Sequence, residues 1–153
     1  DELYELVKDF WPESAKKYDD GYKKKVLGLV QERMKYFAEL PELTRFFFED
    51  LPVNPELISG HKQLKKLSQE ELGQLLEKTE ATLKESDFSR EDLAQRLNKL
   101  LEQTGQKPVV LFSLIRIATT QASSSPGLAE TMEVLGQKTC LRRINARIAA
   151  LKG

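Results

Sequence analysis

The chain has 153 residues, of which 40% are hydrophobic and 31% charged, with equal numbers of basic and acidic side chains. No apolar run approaches the ~20 residues of a membrane-spanning helix, so we expect a globular protein that does not enter a membrane. The single cysteine, Cys140, excludes an intramolecular disulfide, and the single histidine, His61, excludes most histidine-based metal sites. Because the first residue is Asp1 rather than Met, we expect a portion of a longer protein.

Charge is distributed unevenly along the chain. Residues 1–103 carry 17 Lys and Arg against 22 Asp and Glu, whereas residues 104–153 carry 7 against 2. The last third is therefore net +5 and the remainder net −5. A basic region on an otherwise acidic protein attracts phosphates locally without general adhesion to nucleic acid.

The first 50 residues are predicted to form a helical subdomain. Apolar residues at helical spacing predict a short helix that ends at Trp11 and a long helix from about Tyr22 to Phe37, and Pro41 opens a third. Arg33 falls inside the apolar face of the long helix, which is an unusual position for an arginine. The stretch from 49 to 55, with its two prolines, is predicted to be a linker, so we place the subdomain boundary at residue 50.

Residues 51–153 are predicted to form a second helical subdomain. Ser68, with Glu71, predicts a capping box, Ser89 can cap the following helix, and Gly105 can close it. No stretch shows β-alternation of useful length, so the predicted fold is all-α. The predicted helices span about 55–67, 69–85, 90–104, 108–120 and 126–135, and a final helix carries Leu141, Ile144, Ile148 and Leu151.

The helix predicted from Pro108 to Thr120 is apolar nearly all round. Its polar residues, Ser113, Arg116 and Thr120, line up as one seam at helical spacing. A charged guanidinium on a mostly buried helix is costly unless it is paired or opens onto a groove, so Arg116 needs a partner. Composition alone favours an internal salt bridge to a glutamate of the first subdomain, and the competing interpretation is contact with RNA.

Two stretches of this sequence resemble bacterial-type glutamyl-tRNA synthetases, which are class I aminoacyl-tRNA synthetases. The upstream stretch, from Leu29-Val30-Gln31-Glu32-Arg33-Met34 to Phe46-Phe47-Phe48-Glu49-Asp50, resembles a segment of that family. The downstream stretch resembles the family's C-terminal end. It comprises Leu111-Phe112, Arg116-Ile117-Ala118-Thr119-Thr120, Ser125-Pro126-Gly127-Leu128, Leu135-Gly136 and Leu141-Arg142-Arg143.

The resemblance implies an anticodon-binding region for this chain. It implies that Arg33 and Arg116 contact anticodon bases from a helical cleft, and that Ser125, Pro126, Gly127 and Leu128 touch the anticodon loop. It also implies a parent enzyme that joins glutamate to tRNA(Glu) with ATP and Mg²⁺ in an N-terminal catalytic domain outside this segment, which itself needs no cofactor. Whether tRNA(Gln) is also accepted stays open, and we expect a monomer.

The final predicted helix carries three arginines, Arg142, Arg143 and Arg147. In such helices arginines most often form a solvated face, and the functional alternative is that these hold RNA phosphates. Such contacts would add salt-sensitive affinity that is blind to sequence.

No residues of this chain assemble into a predicted catalytic or metal site. Lys66-Leu67-Ser68-Gln69 superficially resembles the family's Lys-x-Ser-Lys element, but it lacks the final lysine and fits a capping box better. We therefore expect no catalysis by this segment. The competing function is a helical adaptor module whose basic helix docks an acidic protein.

The sequence also departs from the family pattern. Thr119-Thr120-Gln121 stands where the family has Leu-Thr-Gly, and Leu114-Ile115 stands where it has Pro-Leu. Loss of the glycine removes the residue best suited to a left-handed helix end, so we expect the turn toward Ser125 to differ in shape. These relaxed positions favour a mitochondrial matrix protein over a bacterial cytoplasmic one.

Overall fold

In the computed structural model, residues 2–122 and 125–152 are described, and within these ranges the secondary structure is helical. Among the helices in these ranges, none combines the length and the hydrophobicity of a membrane-spanning segment. The all-α prediction is confirmed. The α-helices are α1 (Glu2–Val7), α2 (Asp20–Val30), α3 (Leu40–Phe48), α4 (Glu56–Ser59), α5 (Gln69–Lys84), α6 (Arg90–Thr104), α7 (Pro108–Thr120), α8 (Leu128–Leu135) and α9 (Gln137–Lys152), with short 3₁₀ helices at Glu13–Lys17, Phe37–Glu39 and Leu64–Lys66.

The chain divides into two compact units, Asp1–Leu51 and Pro52–Gly153. The first unit has an aromatic core in which the Trp11 and Phe48 rings pack edge to face, with 5.6 Å between the ring centroids. The hydroxyl of Tyr22 donates a hydrogen bond to the carbonyl of Phe47 over 2.6 Å, which ties α2 to α3.

The long helix predicted up to Phe37 is wrong at its C-terminal end, because α2 stops at Val30. The backbone N–H groups of Lys35 and Tyr36 donate instead to the carboxylate of Glu39, over 2.6 and 3.4 Å. This carboxylate offers them a partner outside the helical ladder, and the chain turns into the 3₁₀ helix before α3. Arg33 therefore lies exposed in the turn after α2, and not on its apolar face.

The helix predicted at 55–67 is also wrong in its extent. It breaks after α4, where Gly60 ends the helix. The Nδ1 atom of His61 accepts hydrogen bonds from the backbone N–H groups of Gln63 and Leu64, over 3.1 and 3.2 Å. The imidazole thus caps the start of the following 3₁₀ helix, and the chain cannot continue as one helix.

In the second unit, α5 packs along α9, and α6, α7 and α8 complete the core. The predicted capping box of α5 is confirmed, since Ser68 Oγ accepts from the Glu71 N–H and the Glu71 carboxylate accepts from the Ser68 N–H. Ser89 caps α6 as predicted. Gly105 ends that helix in the left-handed conformation, with a φ of 72°. The core side chains include Leu72, Leu76, Leu93, Leu97, Leu111, Leu114, Ile115 and Ile144.

Candidate functional site

The structure brings together two residues of the predicted site, Arg116 and Ser125. Most residues of α7 are buried, and Arg116 is half-buried on that helix. Its Nε donates a hydrogen bond to Ser125 Oγ over 3.0 Å. The Ser125 hydroxyl in turn donates to the carbonyl of Pro126 over 2.8 Å. A chain of hydrogen bonds therefore sets the orientation of the guanidinium against the segment that precedes α8.

The segment from Ser125 to Leu128 is anchored by its apolar members. Pro126 and Leu128 are buried, whereas Gly127 is exposed at the N-terminal end of α8. The hydroxyl of Thr131 donates to the Pro126 carbonyl over 3.3 Å. The segment is thus held from α8, with Gly127 at its surface.

The N-terminal end of α8 already carries a negative charge. The Glu130 carboxylate lies where a Cβ added to Gly127 would stand. A carboxylate at a helix N-terminus interacts favourably with the helix dipole. A phosphate at Gly127 would have to displace it, so this position suits a neutral base edge better than a phosphate.

Gln121 takes the left-handed conformation that the family's glycine would supply. It ends α7 with φ 54° and ψ 37°. Its Oε1 accepts hydrogen bonds from Arg147 Nη2 over 2.6 Å and from the backbone N–H of Asn54 over 3.2 Å. The left-handed helix end therefore persists without glycine, fixed by its side chain. Residues 123 and 124 lie outside the described ranges, so the rest of the predicted change in turn shape stays untested.

Two of the three arginines for which the sequence left a solvated face or phosphate contact open are buried, so the solvated-face interpretation is wrong for them. Arg143 is 8% exposed and Arg147 1% exposed. Arg143 Nη1 donates to the carbonyl of Thr119 over 2.6 Å, and Arg147 Nη1 donates to the carbonyl of Asn54 over 3.1 Å. Burial lowers the pKa of Arg147. Both guanidiniums hold backbone of their own unit, and Arg142 alone of the three is exposed.

Sequence reasoning missed this role of Arg143 and Arg147, although a signal existed. Arg147 lies three residues after Ile144 and four before Leu151, inside the apolar stripe of α9. No basic residue lies in the last turn of α7, so its terminal carbonyls need donors from elsewhere. Together these two features point to internal arginines.

Arg33 and Arg116 belong to different units of the chain. Arg33 lies in the first unit, in the turn after α2, where its backbone N–H donates to the carbonyl of Val30 over 2.9 Å. Arg116 lies in the second unit, on α7. Each arginine is therefore positioned by its own unit.

The described residues offer little other chemistry. In residues 2–122 and 125–152, no three His, Cys, Asp or Glu side chains are grouped so that they could hold a metal ion. Cys140 is buried, and burial raises the pKa of its thiol to about 12. This thiol therefore packs as a small core group.

Comparison with known proteins gives one consistent result. The family described as anticodon binding domain matches residues 2–148. A glutamate–tRNA ligase of Dehalococcoides mccartyi is 35% identical over 131 residues, which cover 85% of this chain and 26% of that protein. A glutamate–tRNA ligase of Herpetosiphon aurantiacus is 37% identical over 126 residues, covering 82% of this chain and 25% of that protein.

A solved structure shares the fold. The crystal structure of a glutamate tRNA ligase from Elizabethkingia meningosepticum in complex with its amino acid superposes with a TM-score of 0.77 at 22% identity. The superposition covers 98% of this chain and 31% of that one.

The chain belongs to the anticodon-binding domain family. It spans about a quarter of the length of the curated relatives that it matches. The family predicted from the resemblance of the two sequence stretches is therefore confirmed.

Proposed function

We propose that this chain is the anticodon-binding part of a glutamate–tRNA ligase, and that the whole protein joins glutamate to tRNA(Glu). The observation that carries the proposal is the hydrogen bond from Arg116 to Ser125. It joins two of the sequence elements on which the family resemblance rests, at the surface of the second unit. The names of the relatives support the choice of glutamate.

Arginine is suited to reading bases in an RNA loop. Its planar guanidinium presents several N–H donors in a fixed fork, which matches the edge of a splayed base. In Arg116 the Nε donor is already engaged by Ser125. That contact limits how the guanidinium can rotate, so it favours one orientation toward a base.

The exposed cations of the second unit supply the sequence-blind part of the affinity. Of the basic residues after position 103, those exposed are Lys107, Lys138, Arg142 and Lys152. Lys152 pairs with Glu77 at 3.4 Å, so we propose Lys107 and Lys138 as the better phosphate ligands, with Arg142 as a further exposed cation. Each neutralised phosphate of a single strand should contribute about −0.7 to the slope of log affinity against log salt.

The catalytic step, with its ATP and Mg²⁺, is proposed to take place outside this chain. The role of this chain is to hold the anticodon arm so that the acceptor end of the tRNA reaches the distant active site. We further propose a monomer in the mitochondrial matrix, with bacterial cytoplasm as the alternative. Light scattering of the full-length protein and imaging of a tagged copy test these two points, and acceptance of tRNA(Gln) is tested by charging assays.

The direct test is RNA binding by the full-length protein. A tRNA(Glu) transcript, the same transcript with a substituted anticodon, and a scrambled RNA are each titrated over a range of salt concentrations. The proposal predicts binding that depends on the anticodon and weakens with salt. Equal affinity for all three RNAs would contradict it, and no RNA binding at low salt would favour the adaptor function.

A further inference from the structure

Tyr36 carries the most exposed large apolar side chain in the described ranges. It is 69% exposed, compared with 60% for Leu6 and 49% for Val109. It lies three residues after Arg33, in the turn between α2 and the 3₁₀ helix Phe37–Glu39. An aromatic ring left in water at this place gains apolar contact if a flat partner covers it.

The backbone around this ring is fixed. The Glu39 carboxylate accepts hydrogen bonds from the N–H groups of Lys35 and Tyr36, and the Glu39 N–H donates to the Tyr36 carbonyl over 3.0 Å. The next residue, Phe37, packs its ring edge to face against Phe10, at 5.7 Å. The position of the Tyr36 backbone is therefore set before any partner binds.

Two cations precede the ring along the chain. Arg33 and Lys35 are both exposed, and the acidic neighbours are Glu32, which is exposed, and Glu39, whose carboxylate is engaged by the backbone. Exposed aromatic rings interleaved with Lys and Arg are the pattern by which proteins bind unpaired nucleotides, because the ring stacks a base and the cations meet the phosphates.

We propose that the Tyr36 ring is a stacking platform for one unpaired base of the anticodon loop. This inference rests on the proposed function. Arg33 lies beside the platform along the chain and meets the same nucleotide or the one next to it. The platform adds affinity with little discrimination between bases, since every base has a face that can stack.

The experiment places 2-aminopurine at each position of the anticodon loop in turn and titrates each tRNA with the full-length protein. Stacking on the ring should quench the fluorescence at one position. Tyr36→Phe keeps the ring and should bind within about twofold of wild type, whereas Tyr36→Leu should bind about 5- to 100-fold more weakly and lose the quenching. Leu6→Ala shortens a similarly exposed apolar side chain of the same unit, and it should change neither the affinity for tRNA nor the quenching.

The outcomes separate this inference from the proposed function. If wild type binds tRNA and Tyr36→Leu binds it equally well with the same quenching, the platform is wrong and the proposed function stands. If wild type binds no tRNA, the proposed function and the platform both fail. Weakening of Tyr36→Phe as severe as that of Tyr36→Leu would show that the hydroxyl matters and not the ring, which also overturns the platform.

Discussion

Arg147 donates a hydrogen bond from Nη2 to Oε1 of Gln121 over 2.6 Å, and so joins the last helix to the residue that ends α7. The same guanidinium donates from Nη1 to the carbonyl of Asn54. Because the chain leaves α7 at Gln121 on its way to Ser125, this contact fixes where that connection begins. Arg147 thus supports the candidate site from inside the unit.

Replacing Arg147 should destabilise the fold. Arg147→Ala removes two hydrogen bonds from a charged donor and leaves the carbonyl of Asn54 and the amide oxygen of Gln121 without this donor. Since hydrogen bonds to charged groups contribute about 1.5–3 kcal/mol each, the free energy of unfolding should fall by about 3 kcal/mol. Urea denaturation followed by circular dichroism measures it. Arg142→Ala removes an exposed arginine of the same helix and should change the free energy of unfolding by under about 0.5 kcal/mol.

Gln121 should tolerate glycine better than alanine. Both substitutions remove the acceptor for Arg147, but glycine also relieves the left-handed backbone strain, which is worth about 1 kcal/mol for other residues. We expect stability to fall in the order wild type, Gln121→Gly, Gln121→Ala, with about 1 kcal/mol between the two variants in urea denaturation. A Gly variant more stable than wild type would show that the side-chain contacts contribute little.

Neutralising Glu130 should affect binding more than folding. Glu130→Gln removes the charge over Gly127 and weakens the interaction with the helix dipole by about 0.3–1 kcal/mol. If RNA approaches this end of α8, affinity for tRNA should rise a few-fold at low salt, and the gain should shrink as salt increases. Glu133→Gln, on the same helix, is the control. A loss of affinity in Glu130→Gln would mean that the carboxylate accepts a hydrogen bond from the RNA.

Cys140 should make the fold sensitive to alkali. Burial raises the pKa of the thiol from an ordinary value of 9.0 to about 12 in the folded chain. The unfolded chain therefore loses this proton first, so the stability that the thiol contributes is complete below pH 9 and declines as the pH rises from 9 toward 12. Subtracting the urea stability of Cys140→Ala from that of wild type at each pH isolates the contribution. A stability difference that stays constant between pH 9 and 12 would contradict the raised pKa of the buried thiol.

Much of the fold could be predicted because its signals are local. Ser68 and Ser89 predict the starts of α5 and α6, and the apolar run after Pro108 predicts a buried helix. The end of α2 could not be predicted in the same way. No helix-breaking residue stands between Gln31 and Phe37, and the helix ends because a carboxylate farther along the chain captures two N–H groups.

The candidate site shows the same division. The pairing of Arg116 with Ser125 agrees with motifs that lie nine residues apart, so a sequence pattern could place both residues. The burial of Arg143 and Arg147 depends on carbonyls 24 and 93 residues away in sequence. The charge of these arginines alone predicts a surface position, and only the tertiary packing shows that they are internal.

Arg116 is proposed to read an anticodon base. The most direct measurement is the affinity of the full-length protein for tRNA(Glu) and for the same tRNA with single anticodon substitutions, in wild type, Arg116→Lys and Arg116→Ala. Both variants should lose about 10- to 100-fold of the discrimination at one anticodon position, because lysine lacks the planar fork. Arg90→Ala, which removes another arginine of the same unit, should keep it. If both Arg116 variants discriminate between anticodons as wild type does, Arg116 does not read the anticodon.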